Sequence, residues 1–461
     1  MLVKVITASG LLSRHGCRKN IWTNLCFRSK HYDIAITGGG LVGTAMACAI
    51  AKNNVLSDKK VILFDAFPKK NLPKKSVNEE YNNRVFSLNP GTRQYFEMLG
   101  VWKHISDVRY KAVKKMQVWD ACSEAVIIFN EDFINDVSYI VENDVILYAL
   151  AKALEEENAS NITIEYESKI KNFSVTNADK LIKIETEAGN VYSCNLLIGA
   201  DGANSQTRKA LGKPYLNWDY DQLGIVATLK LSEPTENNVA WQRFLPSGPI
   251  ALLPLTDDLS SLVWSVTTKE GKELMQLSDE CFVDAINDAL WKVYPKDIFV
   301  QRASEVTTKT LEFFMLNSGA VRQLPPSVAG IIPKSRVAFP LGFGHATEYI
   351  APGVALIGDA AHRVHPLAGQ GVNLGFGDVR CLSQALADGV YIGKPIGSLS
   401  LLKKYQSERQ RYNFPTMLAI DCLQKLYGTT FTPVVALRTV GLQVTNALHP
   451  VKEAIIRFAS M

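Results

Sequence analysis

The sequence predicts an α/β protein in which a βαβ-containing parallel-sheet domain is split by an inserted α+β domain and followed by a helical C-terminal region. Three observations predict it. Near the start of the chain a glycine turn joins a short apolar strand to a small-residue helix. Two more apolar strands, far apart in the chain, end in the acid–glycine turns Asp201-Gly202 and Gly358-Asp359. Between and beyond these segments lie runs that alternate apolar and polar residues, and from Leu401 onward the pattern is helical.

Residues 33–37 read as a buried strand, followed by Gly38-Gly39-Gly40-Leu41-Val42-Gly43, a G-x-G-x-x-G. A helix over 44–51 and a second strand over 61–65, ending in an acid, complete a dinucleotide-binding unit. In that unit Gly38 permits the tight turn, Gly40 lets a pyrophosphate approach the backbone, and Gly43 lets the helix lie close to the strand. Asp65 follows at about the 20-residue spacing at which a carboxylate bonds ribose hydroxyls. The 18 charge-free residues from 34 to 51 also reach the lower length limit of a membrane span. Three consecutive glycines and the switch from strand to helix period favour the strand–helix reading.

Asn89 caps a helix over 90–99 that stops at Gly100, and Asn143-Asp144 cap a helix over 143–154. Residues 116–120 and 125–129 pair as a hairpin, and 163–192 read as a meander turning at 188–190. The segment 195–208 is a strand ending in Asp201-Gly202 and a helix that carries Arg208. Asp201 serves either a ligand or the turn backbone, and Arg208 alternatively pairs with it. Strands over 224–231, 239–245, 250–253 and 262–266, with a helix over 279–294, form the inserted domain, whose sheet is placed to roof a site. A proline- and glycine-bearing loop over 318–333 follows, and 336–341 lead back to the first domain.

The segment 354–378 reads as a buried strand ending in Gly358-Asp359, then the turn Gly369-Gln370-Gly371 opening a helix. Asp359 suits ribityl hydroxyls, and side-chain-free backbone from Gly369 through Gly371 and Val372 to Asn373 can approach a planar flavin ring and its pyrophosphate. Helices over 401–412, 417–427, 433–444 and 450–459 close the chain. They pack on the body or, alternatively, present an apolar face to a membrane or partner. The expected division is 1–32 leader, 33–215 with 335–400 cofactor domain, 216–334 substrate domain (the 116–130 hairpin joining it), and 401–461 C-terminal helices.

The first 32 residues hold six basic residues and no acid, the pattern of an organelle transit peptide. Without them 44 Lys and Arg stand against 45 Asp and Glu, so the basic charge belongs to the leader and nothing points to nucleic acid. Eight cysteines form no C-x-x-C pair, so neither a metal nor an iron–sulfur site is expected.

The segments 38–65, 199–208 and 358–378, in this order, resemble the flavoprotein aromatic hydroxylases of the para-hydroxybenzoate hydroxylase class. The string His365-Pro-Leu-Ala-Gly-Gln-Gly-Val-Asn-Leu-Gly-Phe-Gly-Asp378, with His345-Ala346 and Arg84 in Asn-Arg-Val-Phe-Ser-Leu, is similar to the mitochondrial, FAD-dependent branch of ubiquinone (coenzyme Q) biosynthesis. The likeness covers 32–461. Asp65, where glutamate is commoner, and the insertion around 322–333 depart from it; the second would alter access to the site.

The resemblance implies non-covalent FAD, with Gly38, Gly40 and Gly43 at the pyrophosphate and Asp65 at the adenosine ribose. Arg84 and Asp359 would reach the phosphate and ribityl region, and backbone donors of 371–373 would face the flavin pyrimidine. It implies O2 and a polyprenylated 4-hydroxybenzoate-type substrate hydroxylated at C5. It also implies electrons from ferredoxin and ferredoxin reductase, a coenzyme Q biosynthetic complex, and peripheral contact with the matrix side of the mitochondrial inner membrane. No catalytic base is identifiable; His345, His362 and His365 read as structural. Lys403, Lys404, Arg409 and Arg411 are a candidate ferredoxin face. A prenyl-chain reductase and a flavin-bound scaffold subunit share the cofactor fold and are the alternatives.

Overall fold

The computed structural model describes residues 30–69, 81–123, 125–129, 136–157, 159–175, 181–295, 297–314 and 322–459. The expected leader lies outside these residues except at its end.

The first sheet is built on the strand Lys30–Thr37, whose apolar residues are buried on both faces as parallel strands require. Val191–Gly199 and Val61–Phe64 flank it in parallel, Val354–Leu356 extends the sheet on one side and Ile162–Glu165 on the other. Residues 162–165 therefore belong to the parallel layer; the meander is confined to Ile170–Val175, Ile182–Thr186 and Val191–Gly199. Helices Leu41–Lys52, Asn143–Glu156 and Gly371–Tyr391 cover one face around Met46, Ile50, Ile146, Leu150 and Leu382. Leu41–Lys52 starts three residues before the expected position, directly on the glycine turn. Asn89 caps Pro90–Met98 by accepting the Thr92 N–H, as read. Asn143 does not cap its helix; it is buried in the first turn, and Glu142 occupies the cap position without a side-chain capping bond, its carboxylate instead taking the Asn82 N–H and Arg109.

The second sheet places Tyr215–Leu231 between Leu259–Thr267 and Val337–Ala346, and continues through Gly248–Pro254 and Val239–Leu245 to Lys115–Asp120 and Val126–Phe129. The hairpin thus joins the inserted sheet. So does Val337–Ala346: 336–341 was expected to lead back to the first domain, but the strand that starts there pairs antiparallel with Tyr215–Leu231 along its length. One face of this sheet is covered by the helix Asp279–Trp291 through Phe282, Ile286 and Leu290. Helices Thr268–Gln276 and Ile298–Phe313 have no counterpart in the sequence reading.

The expected helices over 401–412 and 417–427 are one, Leu399–Tyr427, running through Pro415. Proline removes one helical N–H; Thr416 Oγ1 donates to the Tyr412 carbonyl at 2.9 Å, and Asn413, Met417 and Asp421 are buried on either side, so packing holds the axis across the break. Thr432–Ala447 and His449–Ala459 follow. No helix among the described residues is long and apolar enough to cross a membrane, and 34–51 is strand and helix.

Candidate active site

The three glycine segments meet. Ala200 N–H donates to the Thr37 carbonyl, and Ile357 N–H to that of Gly199, both at 2.9 Å, so the ends of three parallel strands lie side by side. This is where an open α/β sheet binds its ligand. Gly38 has φ +102°, and a Cβ there would lie 2.4 Å from the Ala200 oxygen. A Cβ on Gly43 would lie 1.9 Å from the Gly38 oxygen, and Gly358 and Gly375 close on Val42 in the same way, at 3.1 and 2.8 Å. These glycines permit contact between protein segments. Gly40 differs: nothing lies within 4 Å of its added Cβ. It opens onto the N-terminus of Leu41–Lys52, whose first amides have no partner within the helix.

Asp65 sits just past its strand, half-buried, with Oδ1 taking the Phe67 N–H at 3.1 Å and Oδ2 lying 2.4 Å from where a Gly39 Cβ would be. Gly39, not singled out in the sequence, is therefore what lets Asp65 approach the turn. Asp201 accepts from Gln206 N–H (2.8 Å), Thr207 N–H (3.0 Å) and the Ser205 and Thr207 hydroxyls, so all its recorded bonds go to the following turn and helix. Arg208 does not pair with it. Its guanidinium donates to the carbonyls of Ala203 and Ala360 and lies over the Tyr215 ring, tying the second segment to the third.

Asp359 is solvent-exposed although protein surrounds it deeply enough that burial raises its pKa, against the opposing pull of His362, Arg363 and Arg84. Arg84, also exposed, is one of the cations close enough to oppose that rise. Gly369 is left-handed (φ +59°) and its added Cβ would sit 3.5 Å from Ser87. Gly371 and Val372 open the helix Gly371–Tyr391, half-buried, with first-turn amides free of helical partners. The Asn373 side chain is used by the protein: Nδ2 donates to the Ser87 and Gly369 carbonyls, and Oδ1 accepts from Asn89 N–H and Thr92 Oγ1.

Behind the turn lies a buried knot the sequence reading missed. Asp378 accepts from Gly358 N–H (2.9 Å) and His362 Nε2 (2.6 Å) on one oxygen, and from Arg409 Nε (2.7 Å) and Asn413 Nδ2 (3.1 Å) on the other. Burial pushes its carboxyl up, but His362 and Arg409 outweigh it and hold the pKa at about 2. Arg409 therefore cannot belong to an exposed basic face; of the four expected basic residues Lys403, Lys404 and Arg411 are exposed, Lys404 paired with Asp388. The signal was an acid on an apolar helix face, facing an Arg–x–x–x–Asn repeat on a later helix.

Opposite the cradle, Tyr215–Leu231 bulges between Asp219 and Leu223, with Asp221 at φ +51°. The bulge brings in Gln222, which accepts from His365 Nε2 (3.3 Å) and Gln424 Nε2 (3.1 Å), and Tyr220, whose hydroxyl donates to Asp421 at 2.9 Å. Leu367 N–H donates to His365 Nδ1 at 3.1 Å, which fixes that imidazole as the Nε2–H tautomer. Burial lowers the pKa of His365 to about 4, and that of His345 likewise. Both are neutral packing groups near pH 7, as the sequence suggested.

The second sheet turns its uncovered face toward this turn. Val118 and Phe244 pack on Leu367 at one end; Ala240, Leu253 and Met116 pack with Val85 and Val113 at the other. Between them the cross-strand row Val226, Val263, Ala251 and Gln242 stays partly open, an apolar shelf carrying one amide. The residues present fit a flavin dinucleotide: a glycine with clear space above it, two helix N-termini, and an exposed acid flanked by cations.

Residues 31–317 and 333–414 match the family described as FAD binding domain, and the break falls on the stretch read as an insertion. A human protein, Ubiquinone biosynthesis monooxygenase COQ6, mitochondrial, is 51% identical over 435 residues, covering 93% of this chain and 92% of that one. Its Drosophila melanogaster counterpart is 46% identical over 441 residues, covering 94% and 90%. The structure of p-nitrophenol 4-monooxygenase PnpA from Pseudomonas putida matches with a TM-score of 0.66 at 15% identity, covering 94% of this chain and 99% of that one. PqsL, a probable FAD-dependent monooxygenase from Pseudomonas aeruginosa, matches at 0.63 and 19%, covering 89% and 100%. At such identities these two speak for the fold alone. The human and fly likeness covers more than nine-tenths of the chain, and the chain belongs to the FAD-dependent monooxygenase family of ubiquinone biosynthesis.

Proposed function

We propose that the protein is a mitochondrial FAD-dependent hydroxylase that places one atom of O2 at C5 of a polyprenylated 4-hydroxybenzoate-type ring. The observation that carries this reading is the facing of two surfaces. A ligand-ready glycine cradle stands on one side, and a partly open apolar shelf, rather than a polar binding cleft, on the other.

Bound FAD supplies the electrons that let O2 be split, one atom going to the ring and one to water. The chain's residues do the rest. Gly38, Gly40, Gly43 and the amides after them would hold the pyrophosphate, Asp65 the adenosine ribose, and Arg84 and Asp359 the phosphate and ribityl region. The turn at Gly369 and the amides of Gly371, Val372 and Asn373 would meet the flavin pyrimidine. Asp201 would act through its turn. The shelf of Val226, Val263 and Ala251 would orient the ring and exclude water, with Gln242 the polar group in reach. The mitochondrial location follows the relatives' name; electrons from a ferredoxin and its reductase, membership of a biosynthetic complex, and a place on the matrix side of the inner membrane are part of the same proposal and rest on the motif resemblance alone.

Turnover of a prenylated 4-hydroxybenzoate under 18O2, with ferredoxin, its reductase and NADPH, is expected to give product carrying one heavy oxygen. Unlabelled product, or reduction of a prenyl double bond without oxygen uptake, would sink the hydroxylase reading in favour of a reductase.

A further inference from the structure

The helices Ile298–Phe313 and Thr432–Ala447 lie side by side in parallel. Thr432 Oγ1 donates to Asp297 at 3.2 Å at one end, Gln443 Nε2 to Ser304 Oγ at 2.7 Å further on, and Val300, Val435 and Ala436 fill the seam. Their outer sides are not those of solvated helices. On the first, Phe299, Val306 and Phe313 recur every two turns and are 59%, 64% and 81% exposed. Arg302 and Lys309 fall on the same stripe, while Glu305 and Glu312 fall to one flank. On the second, Pro433, Leu437, Val440 and Val444 share one stripe, with Leu437 67% exposed. The one charged residue of that helix, Arg438, is buried on Asp120 with both ends of its guanidinium at 3.0 Å. With the seam fixed, helical spacing brings the two outward stripes to the same side of the pair.

From this we infer that the paired stripes are the surface with which the protein lies on an anionic bilayer, Phe299, Val306 and Leu437 entering the acyl boundary and Arg302 and Lys309 meeting lipid phosphates. Glu305 and Glu312 sit on the flank, off this stripe, so the charges interleaved with its apolar residues are all positive. Aromatic and aliphatic tips interleaved with cations and no acid form the pattern of a helix in the interfacial plane. The mature charge balance is near neutral, so attraction to such a surface depends on this local placement. Position supports the same occupant. The inner side of Thr432–Ala447 carries Leu442, which packs in the cluster that includes Leu367 of the flavin turn. One face of this helix thus closes the apolar cluster that reaches the flavin turn, and the other is the proposed lipid surface. This inference rests on the proposed peripheral location and names its surface.

The test is flotation of the FAD-loaded protein without its basic leader (residues 33–461) with phosphatidylcholine vesicles, with and without about one-third anionic phospholipid, beside its melting temperature, flavin absorbance and elution volume. The wild type is expected to float with the anionic vesicles and to lose most of that binding at high salt. Phe299→Ser/Val306→Ser/Leu437→Ser is expected to lower the bound fraction at least about tenfold with unchanged flavin content. Arg302→Glu/Lys309→Glu should remove the anionic preference, and Tyr391→Ser/Ile392→Ser, exposed apolar residues on another helix, should leave flotation as it was. If the wild type fails to float with either vesicle, the peripheral location itself falls. If it floats and the triple variant floats equally, only this face is wrong. A triple variant that floats normally but changes from dimer to monomer would reassign the face to contact between copies.

Discussion

The flavin cradle and the turn that faces it are built in opposite ways. The cradle at Gly38–Gly43 is local: one strand, one turn and one helix in sequence order, with backbone as the binding element and glycine as its condition. The turn at Gly358–Asn373 is held by Asp378 on the helix it opens and by groups that arrive from far along the chain: the side chains of Arg409 and Asn413 behind it, those of Gln222 and Gln424 beside it, and the backbone of Ser87 and Asn89 across it. A local device is sensitive to the volume of single residues. A turn held from a distance is sensitive to the charge and hydrogen-bonding state of groups that never touch the ligand.

The strongest way to break the comparison is within the cradle itself. Gly43→Ala places a methyl group 1.9 Å from the Gly38 oxygen, so helix and strand must separate; a loss above about 4 kcal/mol, or insoluble protein, is expected. Gly40→Ala, with nothing within 4 Å, should change stability by no more than about 1 kcal/mol yet weaken FAD at least about tenfold. Urea unfolding of apoprotein and flavin titration separate the two effects. Equal stability losses at the two glycines would mean that Gly40, too, is a packing glycine.

The next test moves to the supports of that turn. Asp378→Ala leaves Arg409 buried without its carboxylate and Gly358 N–H without an acceptor, so a loss of about 3–5 kcal/mol is expected, with Asp378→Asn intermediate. Lys404→Ala, removing a partner of exposed Asp388 on the same helix as Arg409, should cost at most about 0.5 kcal/mol. If Lys404 mattered as much as Asp378, surface charge rather than the buried knot would be holding the turn.

This asymmetry is also why the two regions were unequally legible. Gly38, Gly40 and Gly43 announce themselves because the strand–turn–helix that uses them is contiguous, and Asp65 lies at the end of the very next strand. The alternating strands of the inserted sheet were readable for the same reason. The destination of 337–346 was not, because alternation identifies a strand without naming its neighbour. Arg409 looked like one of four basic residues on a polar helix; only packing against Gly371–Tyr391 turns it inward. The Tyr220–Gln222 bulge has no local signature at all, since Asp221 takes a left-handed conformation without glycine.

The test at His365 expects a modest loss, and it carries a pH signature that volume changes at the cradle lack. Its Nδ1 accepts the Leu367 N–H, so a proton on that nitrogen would set donor against donor and release the turn. Burial keeps the folded pKa at about 4, below the ordinary 6.5. The unfolded chain therefore binds more protons between those values. The stabilisation is complete above about pH 6.5 and is lost as pH falls toward 4, at a slope approaching 1.4 kcal/mol per pH unit and at most about 3 kcal/mol in total. His345, lowered to the same range, adds a second group to the window, whereas Asp378 begins to lose its contribution only below about pH 4, toward its folded value of about 2. His365→Asn can present an oxygen to the Leu367 N–H and cannot titrate. Its cost at pH 7.5 should be about 1 kcal/mol, and its urea midpoint should fall less steeply than the wild type's between pH 6.5 and 4. Parallel pH profiles for the two proteins would place the acid sensitivity elsewhere and leave His365 as packing alone.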